Sequence, residues 1–161
     1  SKLKGEKTLN NYNIKSLIIR TAGLYDDKSS NFLTKVIYKL KNNHPLSIIE
    51  NQFTSTTSAY DLSYFIYKII LNKKIFDIDQ NSNTFHFVND GKITWFDFAN
   101  EICKILNYSV HINKLNYDDY DFTAKRPRYS ILNNQKLKKY FNFKINHYCD
   151  SLQFCINKIY S

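Results

Sequence analysis

Of the 23 basic side chains in this 161-residue chain only three are Arg: Arg20, Arg126 and Arg128. Arg126 opens "RPRYS", residues 126–130, and Pro127 stiffens that loop. A guanidinium presents a fixed fork of N–H donors that fits paired oxyanions. Arg126 therefore serves either an anionic ligand or a surface carboxylate of its own chain. Tyr129 and Ser130 follow with hydroxyls, and Tyr129 adds a ring able to stack on a base. Arg20 closes the apolar run of "SLIIRTAGLY", residues 16–25, ahead of Thr21 and Ala22. It is either a ligand contact or half of a strand-end ion pair. Asn31, before Phe32, has the side chain of a helix cap. Lys2, taken alone, is a surface lysine on a polar helix. Asp61, three residues after Ser58, has capping-box spacing and reads as a cap rather than a catalytic acid. His86 lies in an apolar strand and reads as a core histidine. Cys103, Cys149 and Cys155 have no C-x-x-C spacing and form no zinc signature with His44, His86, His111 or His147.

These groups sit on alternating helices and strands. Residues 1–11 are a polar helix, with Gly5 as a close-packed or merely tolerated position. Leu17 to Ile19 is a continuous apolar run, as in a buried parallel strand. Residues 31–43 carry Phe32, Val36, Ile37 and Leu40 at helical spacing, and "HP" ends that helix. Residues 46–51 predict a short strand, 58–74 a helix, and 84–90 a strand turned by Gly91. Residues 94–107 form the clearest helix, with Thr94 and Asp97 as a capping pair. Trp95, Phe98, Ala99, Ile102, Cys103 and Leu106 make one core stripe along it. A strand at "VHINKL", a short helix within "ILNNQKLKKYF" and a last amphipathic helix at "DSLQFCINKIY" complete the series. Residues 116–125 read as a linker. The alternation indicates an α/β fold with parallel pairing. The sequence holds no glycine-rich strand-to-helix turn of the kind that cradles a dinucleotide.

A hydrophobic fraction of 43% excludes a disordered chain. The net charge of +9 invites nucleic acid as a partner. The lysines are scattered, however, among an excess of Asn, Ile and Tyr that matches an AT-rich codon bias, so nucleic acid is not expected. No apolar run has the length of a membrane span, and no membrane association is expected. The three cysteines fit reduced cytoplasmic thiols.

Three stretches together resemble the dTDP-4-dehydrorhamnose reductase family, a group of extended short-chain dehydrogenases/reductases. "SKLKGE" matches the latter part of that family's Y-G-x-[ST]-K-x-x-G-E helix through Ser1, Lys2, Gly5 and Glu6. "TWFDFANEI" matches W-[FY]-D-F-A. "RPRYSILNNQKL" matches R-P-x-[NY]-S-x-L-x-x-x-K-L. "NQFTSTTSAYDL" resembles D-Q-x-G-x-P-T-x-x-x-D-L, with Thr54 and Thr56 in place of Gly and Pro. Gly23 stands where the family usually has a Trp that packs on the sugar. The resemblance covers essentially the whole chain. It implies the C-terminal part of a Rossmann-like fold plus its small α/β substrate-binding domain. Residues 1–161 are then expected to be the C-terminal portion of one reductase, with the N-terminal dinucleotide-binding part absent and no activity alone.

The implied reaction is reduction of a nucleotide-linked 4-keto-6-deoxy sugar with NADPH or NADH. Hydride goes to the carbonyl carbon and a proton to its oxygen. In the family a tyrosine gives the proton, and a lysine four residues later lowers its pKa and bonds the nicotinamide ribose. By resemblance that lysine is Lys2. Arg20, Thr21 and Ala22 would lie beside the cofactor. Asn31, Phe32, Arg126, Tyr129 and Ser130 would meet the nucleotide-diphosphate sugar, with Arg126 on the diphosphate. A homodimer of the complete protein and a cytoplasmic location accompany this reading. The alternatives are another nucleotide-sugar reductase or epimerase of the same fold, and a non-catalytic regulatory subunit resembling the methionine adenosyltransferase partner.

Overall fold

The computed structural model describes residues 2–12, 16–73, 84–124 and 126–161. Ser1 of the first motif, Lys74 at the expected end of the third helix and Lys125 in the expected linker lie outside them. Helix α1 spans Lys2–Asn11, and its Gly5 has open space where a Cβ would stand rather than a close neighbour. Strand β1 (Ile18–Arg20) pairs in parallel with β6 (Thr84–His86), setting Arg20 opposite His86. Strands β2 (Leu24–Tyr25) and β5 (Thr57–Ser58) pair in parallel, as do β3 (Leu46–Ile49) and β8 (Ile112–Leu115). Strand β4 (Phe53–Thr54) lies between β9 (Tyr129–Ser130), parallel to it, and β7 (Ile93–Thr94), antiparallel. The pairing is thus mixed rather than wholly parallel.

Helix α2 (Phe32–Lys41) begins in a reciprocal capping box: the Asn31 side chain accepts from the Thr34 N–H, and Thr34 accepts from the Asn31 N–H. It buries Leu33, Val36, Ile37 and Leu40. Each such side chain contributes about 1.5–3 kcal/mol on removal from water. Helix α4 (Trp95–Ile105) is capped by Thr94, which accepts from the Asp97 N–H at 3.0 Å. Helix α6 (Tyr148–Ile159) packs with α2 and α4 around Phe98, Ile102, Leu152 and Cys155. A second core gathers Phe65 and Ile69 of α3 (Ala59–Leu71), Phe85 of β6, Phe87, and Leu137 and Phe141 of α5 (Gln135–Phe141). Among the described residues no helix is long and apolar enough to cross a membrane.

Between the two cores runs an unusual polar segment. Thr54, Ser55, Thr56, Thr57 and Ser58 are all buried. Their backbone and hydroxyls are used by distant parts of the chain. Thr57 donates to the Ala22 carbonyl at 2.7 Å, Ser55 accepts from the Leu132 N–H, and Ser130 donates to Thr54. Asn89, itself buried, accepts from the Ser58 N–H at 2.7 Å and donates its own N–H to the Thr56 carbonyl. This segment bonds the β1–β2 turn, the end of β6 and the strand after Arg126.

The Ser58–Asp61 capping expectation fails. Ser58 makes no side-chain cap, and its hydroxyl is among the buried groups left without a partner. Asp61 turns inward instead, where the Asn89 side chain donates to it at 2.5 Å, Asn146 at 3.0 Å, and Ser151 through a short bond. The inward donors outcompete the local backbone, because two of them are buried and have few other acceptors.

Candidate functional site

A cavity of about 540 Å³ opens between α2, β3, α4 and the residues Tyr120, Phe122 and Arg126. Asn31, Phe32 and Lys35 line one side, Trp95 and Gln52 another, and Tyr120, Phe122 and Arg126 a third. Among the described lining residues none is acidic, whereas Lys35 and Arg126 are cations. Such walls favour an anion, and four rings supply flat apolar surface for a planar or C–H-rich group.

Arg126 is held by its backbone. The Tyr117 hydroxyl donates to its carbonyl through a short bond, Gln52 donates to the next carbonyl, Pro127, at 3.1 Å, and the Phe53 N–H donates to Arg128. The guanidinium itself has no carboxylate partner among the described residues. The surface ion pair falls to Arg128, with Asp118 at 3.4 Å. The stretch expected to be a linker is therefore a wall of the site. It holds a 3₁₀ turn at Tyr117–Asp119, and the Tyr117 N–H donates to Asn51 at 2.8 Å. Phe122 packs 5.0 Å from Tyr117 and 4.8 Å from Tyr120, centroid to centroid.

Asn31 reaches the cavity with its amide already engaged. Besides the cap, its side-chain nitrogen donates to the Asp26 and Ser29 carbonyls at 2.9 and 3.0 Å. Asp26 organises this loop: the Ser29 N–H, donating to it at 2.7 Å, holds its carboxyl below the usual range. Tyr129 and Ser130 are not brought to the cavity lining. Tyr129 is exposed and stacks on Phe53 at 5.0 Å, and Ser130 donates to the Phe53 carbonyl at 3.2 Å. They fix the strand that follows Arg126.

At the C-terminal end of β1 the Arg20 guanidinium grips Glu6 with two bonds, 2.9 and 2.5 Å. The hydrogen bond from Arg20 lowers the Glu6 pKa below its ordinary value, and Glu6 raises that of Arg20. Glu6 lies one helical turn after Lys2, so both share a face of α1. The ion pair thus ties the Lys2 face to the end of β1, where Thr21 is exposed and Ala22 half-buried. His86, read as a core histidine, is only half-buried there.

Sequence reasoning missed Lys35, Gln52, Trp95, Tyr120 and Phe122. Trp95 belongs to an apolar stripe and was expected wholly in the core, as Phe98 and Ala99 are. It is half-buried, with its ring 4.6 Å from Phe32 across the cavity wall. The closely spaced rings Tyr117, Tyr120 and Phe122 of "YDDYDF", residues 117–122, were the available signal for the third wall.

The family model described as the RmlD substrate binding domain matches residues 1–161. The chain belongs to this family. Among curated relatives, the dTDP-4-dehydrorhamnose reductase of Escherichia coli is 29% identical over 170 residues, covering 100% of this chain and 55% of that protein. Among solved structures, the dTDP-4-dehydrorhamnose reductase of Clostridium acetobutylicum superposes with a TM-score of 0.86 at 30% identity, over 99% of this chain and 54% of that one. The Bacillus anthracis reductase, solved in complex with NADP, gives a TM-score of 0.80 at 26% identity over 98% of this chain and 53% of that one. The chain therefore spans about half the length of these relatives. The mixed α/β fold expected from the resemblance is the one these proteins share.

Proposed function

We propose that this chain is the substrate-binding part of an NADPH-dependent reductase of a dTDP-linked 4-keto-6-deoxy sugar. The cavity carries the reading: two cations, no acidic lining residue among those described, and four aromatic rings form a receptor for a nucleotide diphosphate. The relatives are named dTDP-4-dehydrorhamnose reductases, and one is solved with NADP.

In this reading Arg126 holds the diphosphate through its fork, Lys35 adds charge, and Phe32 and Asn31 border the nucleotide. Tyr129 and Ser130 act by holding Arg126 in place. When bound, the nicotinamide supplies the hydride. Lys2 lowers the pKa of the phenol that gives the proton and bonds the nicotinamide ribose. Thr21 and Ala22 border the nicotinamide, and Arg20 positions the Lys2 helix through Glu6. Most of the cofactor surface lies outside residues 1–161, since no glycine-rich cradle is among them. The working enzyme is cytoplasmic and a homodimer.

Calorimetry with dTDP, on the protein expressed from its complete reading frame, tests this. Arg126→Ala is expected to weaken dTDP by about 10- to 100-fold, as befits a charged hydrogen bond worth about 1.5–3 kcal/mol. Arg126→Lys should recover only part, lacking the fork. No binding of dTDP, or no effect of Arg126→Ala, would refute the assignment.

A further inference from the structure

The Trp95 indole reaches beyond Phe32. The tip of its six-membered ring, Cη2, extends to the β1–β2 turn at Gly23. A Cβ on Gly23 would stand 3.3 Å from that tip and 2.6 Å from the Ser55 carbonyl oxygen. Gly23 has φ +54°, in the left-handed region that side chains disfavour. Position 23 is thus restricted to glycine by conformation and by room. The neighbouring 54–58 segment cannot easily yield, because Thr57 is bonded to both Ala22 and Gly23.

Gly23 lies three residues past Arg20, just beyond the C-terminal end of β1. Open α/β sheets bind the reacting part of a ligand outside the carboxyl ends of their strands. Phe32, at the other side of the indole, begins α2 near Lys35 and the anion-binding wall. Trp95 therefore spans from the diphosphate end of the cavity to the end where reduction takes place. The substrate group at that end is the sugar. A 6-deoxy sugar offers a methyl group and ring C–H bonds, and an aromatic face with its negative quadrupole suits them.

We propose that Trp95 is a specificity-determining residue that packs on the sugar ring, with its indole tip lying beside the glycine turn at position 23. This rests on the functional reading above. The closing experiment compares dTDP with dTDP-rhamnose by calorimetry on the protein from its complete reading frame. Wild type is expected to prefer dTDP-rhamnose. Trp95→Leu should lower the ratio of the two affinities about five- to tenfold, the worth of one aromatic contact, with dTDP itself changed less than about twofold. Gly23→Ala should lower the ratio in the same direction by displacing the tip. Trp95→Phe keeps a ring but shortens the reach. It should lower the ratio by about twofold, and it carries the test if the leucine variant does not fold. A merely structural Trp95 would weaken both ligands together. A ratio unchanged in the variants overturns the proposal while leaving the dTDP site standing. Failure of wild type to bind dTDP overturns both.

Discussion

Replacing Asp61 by alanine removes an acceptor that the Asn89, Asn146 and Ser151 side chains share. Asn146 is exposed and turns to water. Asn89 and Ser151 are only 1% and 3% exposed, so their loss falls on the fold. Each has a weaker, uncharged fallback: the Ser151 hydroxyl at 2.8 Å and the Asn146 carbonyl at 3.2 Å for Asn89, and the His147 carbonyl at 3.3 Å for Ser151. Neither is left wholly orphaned, and what disappears is two hydrogen bonds to a charged acceptor. At about 1.5–3 kcal/mol each, less the fallback, the expected loss is about 2–4 kcal/mol. For a chain of this size that lowers Tm by roughly 5–15 °C. Asp61→Asn keeps an oxygen for Asn89 and Ser151 and turns its amide toward exposed Asn146, so it should lose only about 1–2 kcal/mol. Thermal and urea unfolding followed by circular dichroism give both numbers. A loss below about 1 kcal/mol for alanine, or equal losses for both variants, would show that the inward network does not carry this part of the fold.

Acid should loosen α1. The hydrogen bond from Arg20 lowers the folded Glu6 pKa, so its contribution is full above the unfolded value of about 4.3 and vanishes as pH falls through the folded value. Hydrogen exchange should show residues 2–12 losing protection at low pH in wild type, and already at neutral pH in Arg20→Met; identical pH profiles would contradict the strut. Thiol titration at pH 8 should find one fast cysteine among the three, half-exposed Cys149. Burial pushes the Cys155 thiol up to about 12 and that of Cys103 upward, so both should react only on unfolding. Three fast thiols would mean that α6 is not packed against α2 and α4.

Local signals carried most of the fold. Asn31 and Thr94 cap the helices their spacing predicts, because a cap needs only a side chain within three residues of a free N–H. The stripe of α4 found Phe98, Ala99 and Ile102 for the same reason. Asp61 was misread because its partners lie 28, 85 and 90 residues away, and local spacing cannot weigh a capping bond against donors that only the folded chain brings in. Trp95 illustrates the limit of periodicity: a large side chain at the stripe's edge satisfies the helical pattern and still shows one side to a cavity. Residues 116–124 look like a linker because they are polar and lack regular periodicity. Their order comes from Asn51, from the Arg126 carbonyl and from rings that pack on one another. Arg126 was legible by residue type and motif. Its lack of a carboxylate partner among the described residues, and the presence of Lys35 beside the same cavity, were not.

The most direct measurement is NADPH oxidation, followed at 340 nm, by the protein expressed from its complete reading frame, with dTDP-4-dehydrorhamnose as substrate. The account predicts turnover that depends on Arg126 mainly through KM. Absence of turnover with either NADPH or NADH, in a folded protein that binds dTDP, would contradict it.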